Sequence, residues 1–181
     1  MEHNLQDAIA LLARTPAALN ALLRDLPESW THRNEGPNTW SPFDIIGHLI
    51  EGERNDWMTR AKIILQSGET RPFDRFNREG FAQMPQEVSI GARLDEFAHL
   101  RSANLDELRS LDLRPADLEK RGRHPALGIV TLAQLLSTWP AHDLTHLHQI
   151  SRVMACQYRE AVGPWSKFMG VMNCNGHSSQ P

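Results

Sequence analysis

Residues 131–158 read TLAQLLSTWPAHDLTHLHQISRVMACQY, and this stretch carries the reading of the fold. Leu135, Trp139, His142, His146, Gln149 and Val153 recur three or four positions apart, the spacing that gathers side chains on one face of a helix. The helix predicted here begins near Thr131, runs to about Tyr158 and is closed by Gly163-Pro164. Working outward, three more stretches have helical character. One spans about Val88 to Leu111, with Ile90, Leu94, Phe97, Leu105 and Leu108 as its apolar positions. A second starts at Ser41, a strong N-cap, with Pro42 suited to the first turn and Asp44 placed where backbone N–H groups are unpaired; it should continue to about Leu65 and end near Ser67-Gly68. The first runs from about Leu5 to Leu26. Thr15-Pro16 interrupts it, with Thr15 expected as an N-cap and Pro16 at the first helical position, so it is either a short helix followed by a second or one kinked helix.

Between these stretches lie turn-rich segments. Residues 27–40 read as a loop with Asn34, Gly36, Pro37 and Asn38. Residues 69–86 are irregular and longer than an ordinary bundle loop, fit for an extra helical turn or part of a binding cleft. In the next connector, the segment from Arg114 to Leu118 suits a helical turn, whereas Gly122, Pro125 and Gly128 mark loops. Four long helices with little strand signal predict an all-α four-helix bundle; globin-like packing needs more and shorter helices. Residues 1–172 are expected to form the domain and residues 173–181 a tail.

The bulk numbers agree. A chain of 181 residues fits one domain with a real core. With 40% apolar and 23% charged residues, it is neither a disordered nor a fibrous chain. Nineteen basic against 22 acidic residues give a net charge of −3, and the short basic run at Lys120, Arg121 and Arg123 reads as a solvated turn. Nucleic acid is therefore not an expected partner. No apolar stretch approaches the roughly 20 residues of a membrane helix, and the first residues lack the pattern of a signal peptide. Two cysteines, Cys156 and Cys174, are too few for a disulfide scaffold. The expected compartment is the cytoplasm.

Nine histidines are many for this length. His3, His32, His99, His124 and His177 read as solvated or capping side chains. His142 and His146 differ, because residues four apart on a helix project the same way and two imidazoles can then chelate one ion. Such a pair also arises by chance fairly often. His148 points away, roughly 120° from His142 by the helical repeat. A third ligand should come from another helix, and His48 is the natural choice. On its face lie Asp44, Glu51, Gly52 and Asn55, a polar stripe that either meets solvent or lines a site. Three neutral imidazoles would leave one coordination position open, as catalytic zinc sites do. The outer imidazole nitrogens need acceptors, for which Asp143, Glu51 or backbone carbonyls are available.

Taken together, several motifs resemble the DinB-like superfamily of bacterial helical bundles: Thr15-Pro16 with the leucines after it, Trp40-Ser41-Pro42, the run from Gly47 to Trp57, the run from His124 to Leu132, the run from His142 to Arg152, Tyr158-Arg159 and Gly163-Pro164-Trp165. The likeness covers nearly the whole chain. It implies a four-helix bundle of up-down-down-up type, often a homodimer, with a divalent metal (zinc, nickel or iron) held by His48, His142 and His146. It also points to bacillithiol transferases and mycothiol-dependent isomerases as characterised relatives. The expected activity is thiol S-transfer, in which the metal holds a low-molecular-weight thiol as thiolate for attack on a small electrophile; Arg54 or Arg152 would orient an anionic group. Hydrolysis by metal-activated water and a non-enzymatic metal-binding role are the alternatives, with a metal-free bundle as the bland one. Cys156 reads as a packed thiol, and Cys174 with His177 as a coincidental pair.

Overall fold

A computed structural model describes residues 3–174. The first helical stretch is two helices, α1 at Leu5–Leu12 and α2 at Thr15–Leu23. Asn4 caps α1 by accepting from the N–H groups of Gln6 and Asp7 at 2.9 and 3.1 Å. Contrary to expectation, Thr15 does not cap α2. The residue before it, Arg14, has helical angles (φ −88°, ψ −25°), so the chain never adopts the extended conformation that a capping side chain requires. Within the expected loop, Glu28–Thr31 forms a helical turn, α3.

The second stretch opens as predicted. Ser41 and Asp44 form a reciprocal capping box and Pro42 sits in the first turn of α4, Pro42–Asn55. A single helix was expected to Leu65. Instead the helix is interrupted at Asp56, whose angles (φ −114°, ψ −75°) are distorted from regular helix, and α5 follows at Trp57–Ser67. The ladder bends without parting: the Asp56 N–H still donates to Gly52 O at 3.1 Å, and Asp56 O accepts from Arg60 N at 2.9 Å. Two 3-10 turns follow, at Gly68–Thr70, overlapping the start of the irregular segment, and at Gly80–Gln83 within it. α6 spans Ile90–Ser110, capped by Ser89, and α7 is a turn at Pro115–Leu118.

The segment read as loops and a solvated basic turn is a β-hairpin. β1 at Arg121–His124 pairs antiparallel with β2 at Gly128–Thr131 in the register Arg121↔Thr131 to His124↔Gly128. His124 Nδ1 fastens the turn by accepting from the N–H groups of Ala126 and Leu127, both at 3.1 Å. Four residues per strand and a glycine-containing sequence give almost no period-two signal, hence the misreading. β2 leads directly into α8, Leu132–Cys156, whose N-terminus is a capping box of Thr131 and Gln134. A 3-10 turn at Gly163–Phe168 and a short α9 at Gly170–Asn173 complete the described chain. Of the expected tail, residues 175–181 lie outside the described residues, as does His177.

Side-chain contacts give the direction of each helix. Along α4 and α6, Arg93 reaches Phe43 O and Arg101 reaches Glu53, so the two run parallel. Along α4, α5 and α8, His48 meets His142 and His146 whereas Trp57 stacks on Trp139, so α8 runs antiparallel to both. Arg24 lies against Asp95 and Leu12 O against Arg101, setting α1 and α2 antiparallel to α6. The bundle is up-down-down-up.

Its apolar interior falls into two clusters. One gathers Leu12, Trp57, Ile64, Leu105, Leu108, Leu136 and Trp139; the other gathers Leu19, Phe43, Ile46, Ile50, Leu94, Phe97 and Ile150. Between them in residue number lie buried polar side chains: Thr15 after α1, Glu53 on α4, Arg101 on α6, and Asp143 and His146 on α8. A polar layer thus crosses mid-bundle. Among the described residues no helix is long and apolar enough to cross a membrane.

Candidate metal centre

Each of the three histidines predicted as ligands reaches the same point. His48 projects from the second turn of α4, and His142 and His146 from successive turns of α8. His142 Nε2 lies 3.2 Å from His48 Nε2 and 3.1 Å from His146 Nε2, and the ligand atoms of all three fall within 4.8 Å of one another. Nitrogens bound at about 2.0–2.1 Å to one tetrahedral ion stand roughly 3.3 Å apart, so the spacing fits.

Tautomers strengthen the fit. His48 Nδ1 is 3.0 Å from the backbone carbonyl of Arg78. A carbonyl can only accept, so Nδ1 carries the proton and Nε2 presents a lone pair. His146 Nδ1 is held in the same way by Gln149 Oε1 at 2.7 Å. Lone pairs aimed at one point repel unless a cation lies between them. His142 Nδ1 is buried without a partner. Of the acceptors considered from sequence, a backbone carbonyl serves; Asp143 and Glu51 do not.

The rings are also kept neutral. Burial, then the neighbouring His146, pushes His48 down to about 3. Burial and the other two rings put His142 well below the usual histidine range, and burial lowers His146 despite its bond to Gln149. The charge of Arg78 adds to all three depressions. A neutral imidazole is the form that ligates.

His48 and His146 are buried while His142 is half-buried, and all three line a cavity of about 280 Å³. Its walls come from α4 and α5 (Gly52, Asp56, Trp57, Arg60), from the irregular segment (Phe73, Phe76, Arg78), from the hairpin and from α8. Residues 69–86 therefore do form part of a cleft. Asp56 is buried there. Its carboxyl, raised by burial to about 6 against the lowering effect of Arg60, forms an ion pair with Arg60 Nε at 2.7 Å without a well-aligned hydrogen bond.

Several expectations need correcting. Arg54 and Arg152 do not face the cavity: Arg54 pairs with Glu96, and Arg152 clamps Glu35 at 2.6–3.0 Å. The cavity guanidiniums are Arg60 and Arg78. The polar stripe on α4 is only partly a site, since Asp44 belongs to the capping box and Asn55 donates to Glu51 at 2.8 Å. His124, dismissed as capping or solvated, caps the hairpin turn and also lines the cavity. His148 is exposed, as expected, with Nε2 3.2 Å from Cys174 Sγ.

Sequence reasoning also missed the network behind the site. Arg101 donates to both oxygens of Asp143 (2.6 and 2.9 Å), to Glu53 Oε1 (2.8 Å) and to Leu12 O (2.9 Å). Glu53 further accepts from Trp139 Nε1 at 3.0 Å and Asn104 Nδ2 at 2.9 Å. This ties α1, α4, α6 and α8 together one residue away from His142. The signal was present in the sequence: Glu53, Arg101 and Asp143 each occupy a core-stripe position of their helix, as 49-53, 97-101-105 and 139-143-146, where a charge demands a partner.

Comparison with known proteins agrees with this arrangement. Two curated bacterial proteins, both named "putative metal-dependent hydrolase", are similar to the chain. One, from Oceanobacillus iheyensis, is 25% identical over 82% of this chain and 81% of its own length. The other, from Bacillus mycoides, is 24% identical over 75% and 77%. Among solved structures, YfiT from Bacillus subtilis, described as a probable metal-dependent hydrolase with an unusual four-helix bundle topology, superposes with a TM-score of 0.70 at 18% identity, covering 87% of each chain. The family model of the DinB superfamily matches residues 11–150, a span that includes His48, His142 and His146, and the chain belongs to that superfamily.

Proposed function

We propose that this protein is a metal-dependent enzyme acting on a small molecule, and that its reaction is thiol S-transfer. The observation that carries the enzymatic reading is the convergence of three neutral imidazoles in the lining of one cavity, with His142 half-buried. A purely structural ion would be expected to have all its positions filled by protein, and no fourth histidine, cysteine or carboxylate joins the group among the described residues. A divalent ion bound there supplies Lewis acidity, lowering the pKa of a thiol or water at its open position.

The chain's own residues do the rest. Arg78 O and Gln149 Oε1 fix the ring orientations of His48 and His146. Trp57, Phe73, Phe76 and Leu135 give the cavity an apolar wall, which suits a sulfur nucleophile and an apolar electrophile and limits water. Hydrolysis is the second reading. It is favoured by the names of the two curated relatives and by Asp56, a cavity carboxyl whose pKa near 6 suits proton transfer.

One experiment separates these readings. Metal-loaded protein is assayed for conjugation of chlorodinitrobenzene by bacillithiol, mycothiol, glutathione and cysteine, and for hydrolysis of p-nitrophenyl esters and anilides, beside His146→Ala. Metal-dependent conjugation that is lost in the variant supports transfer. Ester or anilide cleavage without conjugation replaces it with the hydrolase. Equal metal content in both proteins removes the centre itself.

A further inference from the structure

Arg78 stands apart from the other buried or half-buried arginines. Arg24, Arg101 and Arg152 meet carboxylates. Arg93 donates to the carbonyls of Phe43 and Pro85, and Arg60 is held by Asp56. The Arg78 guanidinium lines the cavity and makes no ion pair or side-chain hydrogen bond among the described residues. Its position beside the histidines is fixed from behind, because its own backbone carbonyl accepts from His48, and its charge is felt by all three rings.

An unpaired guanidinium beside a divalent ion is a repulsive arrangement in a cavity walled by Trp57, Phe73 and Phe76. With Asp56 already committed to Arg60, the cavity carries one uncompensated positive charge before any ion enters. An anion between Arg78 and the centre would relieve both repulsion and desolvation. Phe73, Leu127 and Val130 give the same cavity an apolar lining.

We infer that the substrate is a small molecule joining one carboxylate to an apolar body, with the carboxylate seated on Arg78 beside the histidines and the body against Phe73, Leu127 and Val130. This deepens the enzymatic reading and rests on the cavity being its substrate site. The test uses phenylacetate and its neutral counterpart phenylacetamide as probes, titrated calorimetrically into wild type, Arg78→Met and Arg78→Lys. Each protein is studied both metal-loaded and stripped with a chelator, because a carboxylate can also bind the ion directly.

In stripped wild type the acid should bind about tenfold tighter than the amide, the scale of one charge-assisted hydrogen bond. Arg78→Met should erase that preference and Arg78→Lys retain part of it. Metal content should be unchanged in both variants, since the contact with His48 is made by the backbone. Equal binding of acid and amide, no binding of the acid, or a preference that survives in Arg78→Met each overturns the inference. Should the protein take up no metal at all, the enzymatic reading fails while the stripped-protein titrations still decide this one.

Discussion

Arg101 shows what a single side chain does in this bundle. Buried and bound to Asp143, Glu53 and the carbonyl of Leu12, it is the one positive charge shared by two buried carboxylates. Arg101→Met would leave both charges buried and uncompensated, and should destabilise the protein by about 3–5 kcal/mol, read as a fall in the urea midpoint at unchanged slope. Gln149 works on a finer scale. It orients His146 through Nδ1, so Gln149→Leu should keep the fold but weaken metal binding by about 10–100-fold, measured by competition with a chromophoric chelator. Undiminished affinity would mean that the ring is oriented by packing alone. Both residues sit on the buried stripes of their helices, and a polar residue there is legible in sequence as a question. Which partner answers it is not.

At the level of elements, close approach decides what sequence periodicity cannot. Gly122 lies in β1, and a Cβ there would come within 2.7 Å of Ile64 Cγ1 and 3.0 Å of the Phe73 ring. The hairpin can therefore seat on α5 only through a glycine. Gly122→Ala should cost about 1–3 kcal/mol by overpacking and loosen the cavity wall formed by Phe73 and His124; thermal denaturation together with the probe titrations above would show both effects. An unchanged melting temperature would contradict the packing seen here. At Thr131 the start of the helix was legible but not its cap, whereas the capping box at Ser41 was visible in sequence, since a cap is local chemistry. The bend at Asp56 was not, because the residues on either side of it keep helical spacing.

For the whole molecule, the neutral histidines make stability depend on pH. In metal-free protein His48 titrates near 3 when folded but near 6.5 when unfolded, so below that value the unfolded chain binds the additional proton. Stability is complete above about pH 6.5 and declines as pH falls toward 3, by up to about 1.4 kcal/mol per pH unit for each such ring. His142 and His146, lowered in the same direction, add to the loss. Asp56 acts with the opposite sign: raised to about 6, it contributes stability that is full below its unfolded value and disappears as pH rises through 6. Because three rings oppose one carboxyl, chelator-treated protein should lose stability between pH 6.5 and 4. Urea unfolding across that range checks it, and a flat profile would count against buried neutral histidines.

The sequence by itself determined the helical class, the cap at Ser41 and the placing of His142 and His146 on one helix face, because helical spacing, cap chemistry and imidazole pairing are properties of near neighbours in the chain. Tertiary structure alone decided that His48 meets the pair on α8, that Arg101 holds the middle of the bundle, that residues 121–131 form a hairpin and that Arg78 rather than Arg54 or Arg152 faces the cavity. Those outcomes depend on which helix lies beside which and at what depth. Contacts between residues 30 to 94 positions apart, such as Arg78 with His48 and His48 with His142, leave no trace in local periodicity.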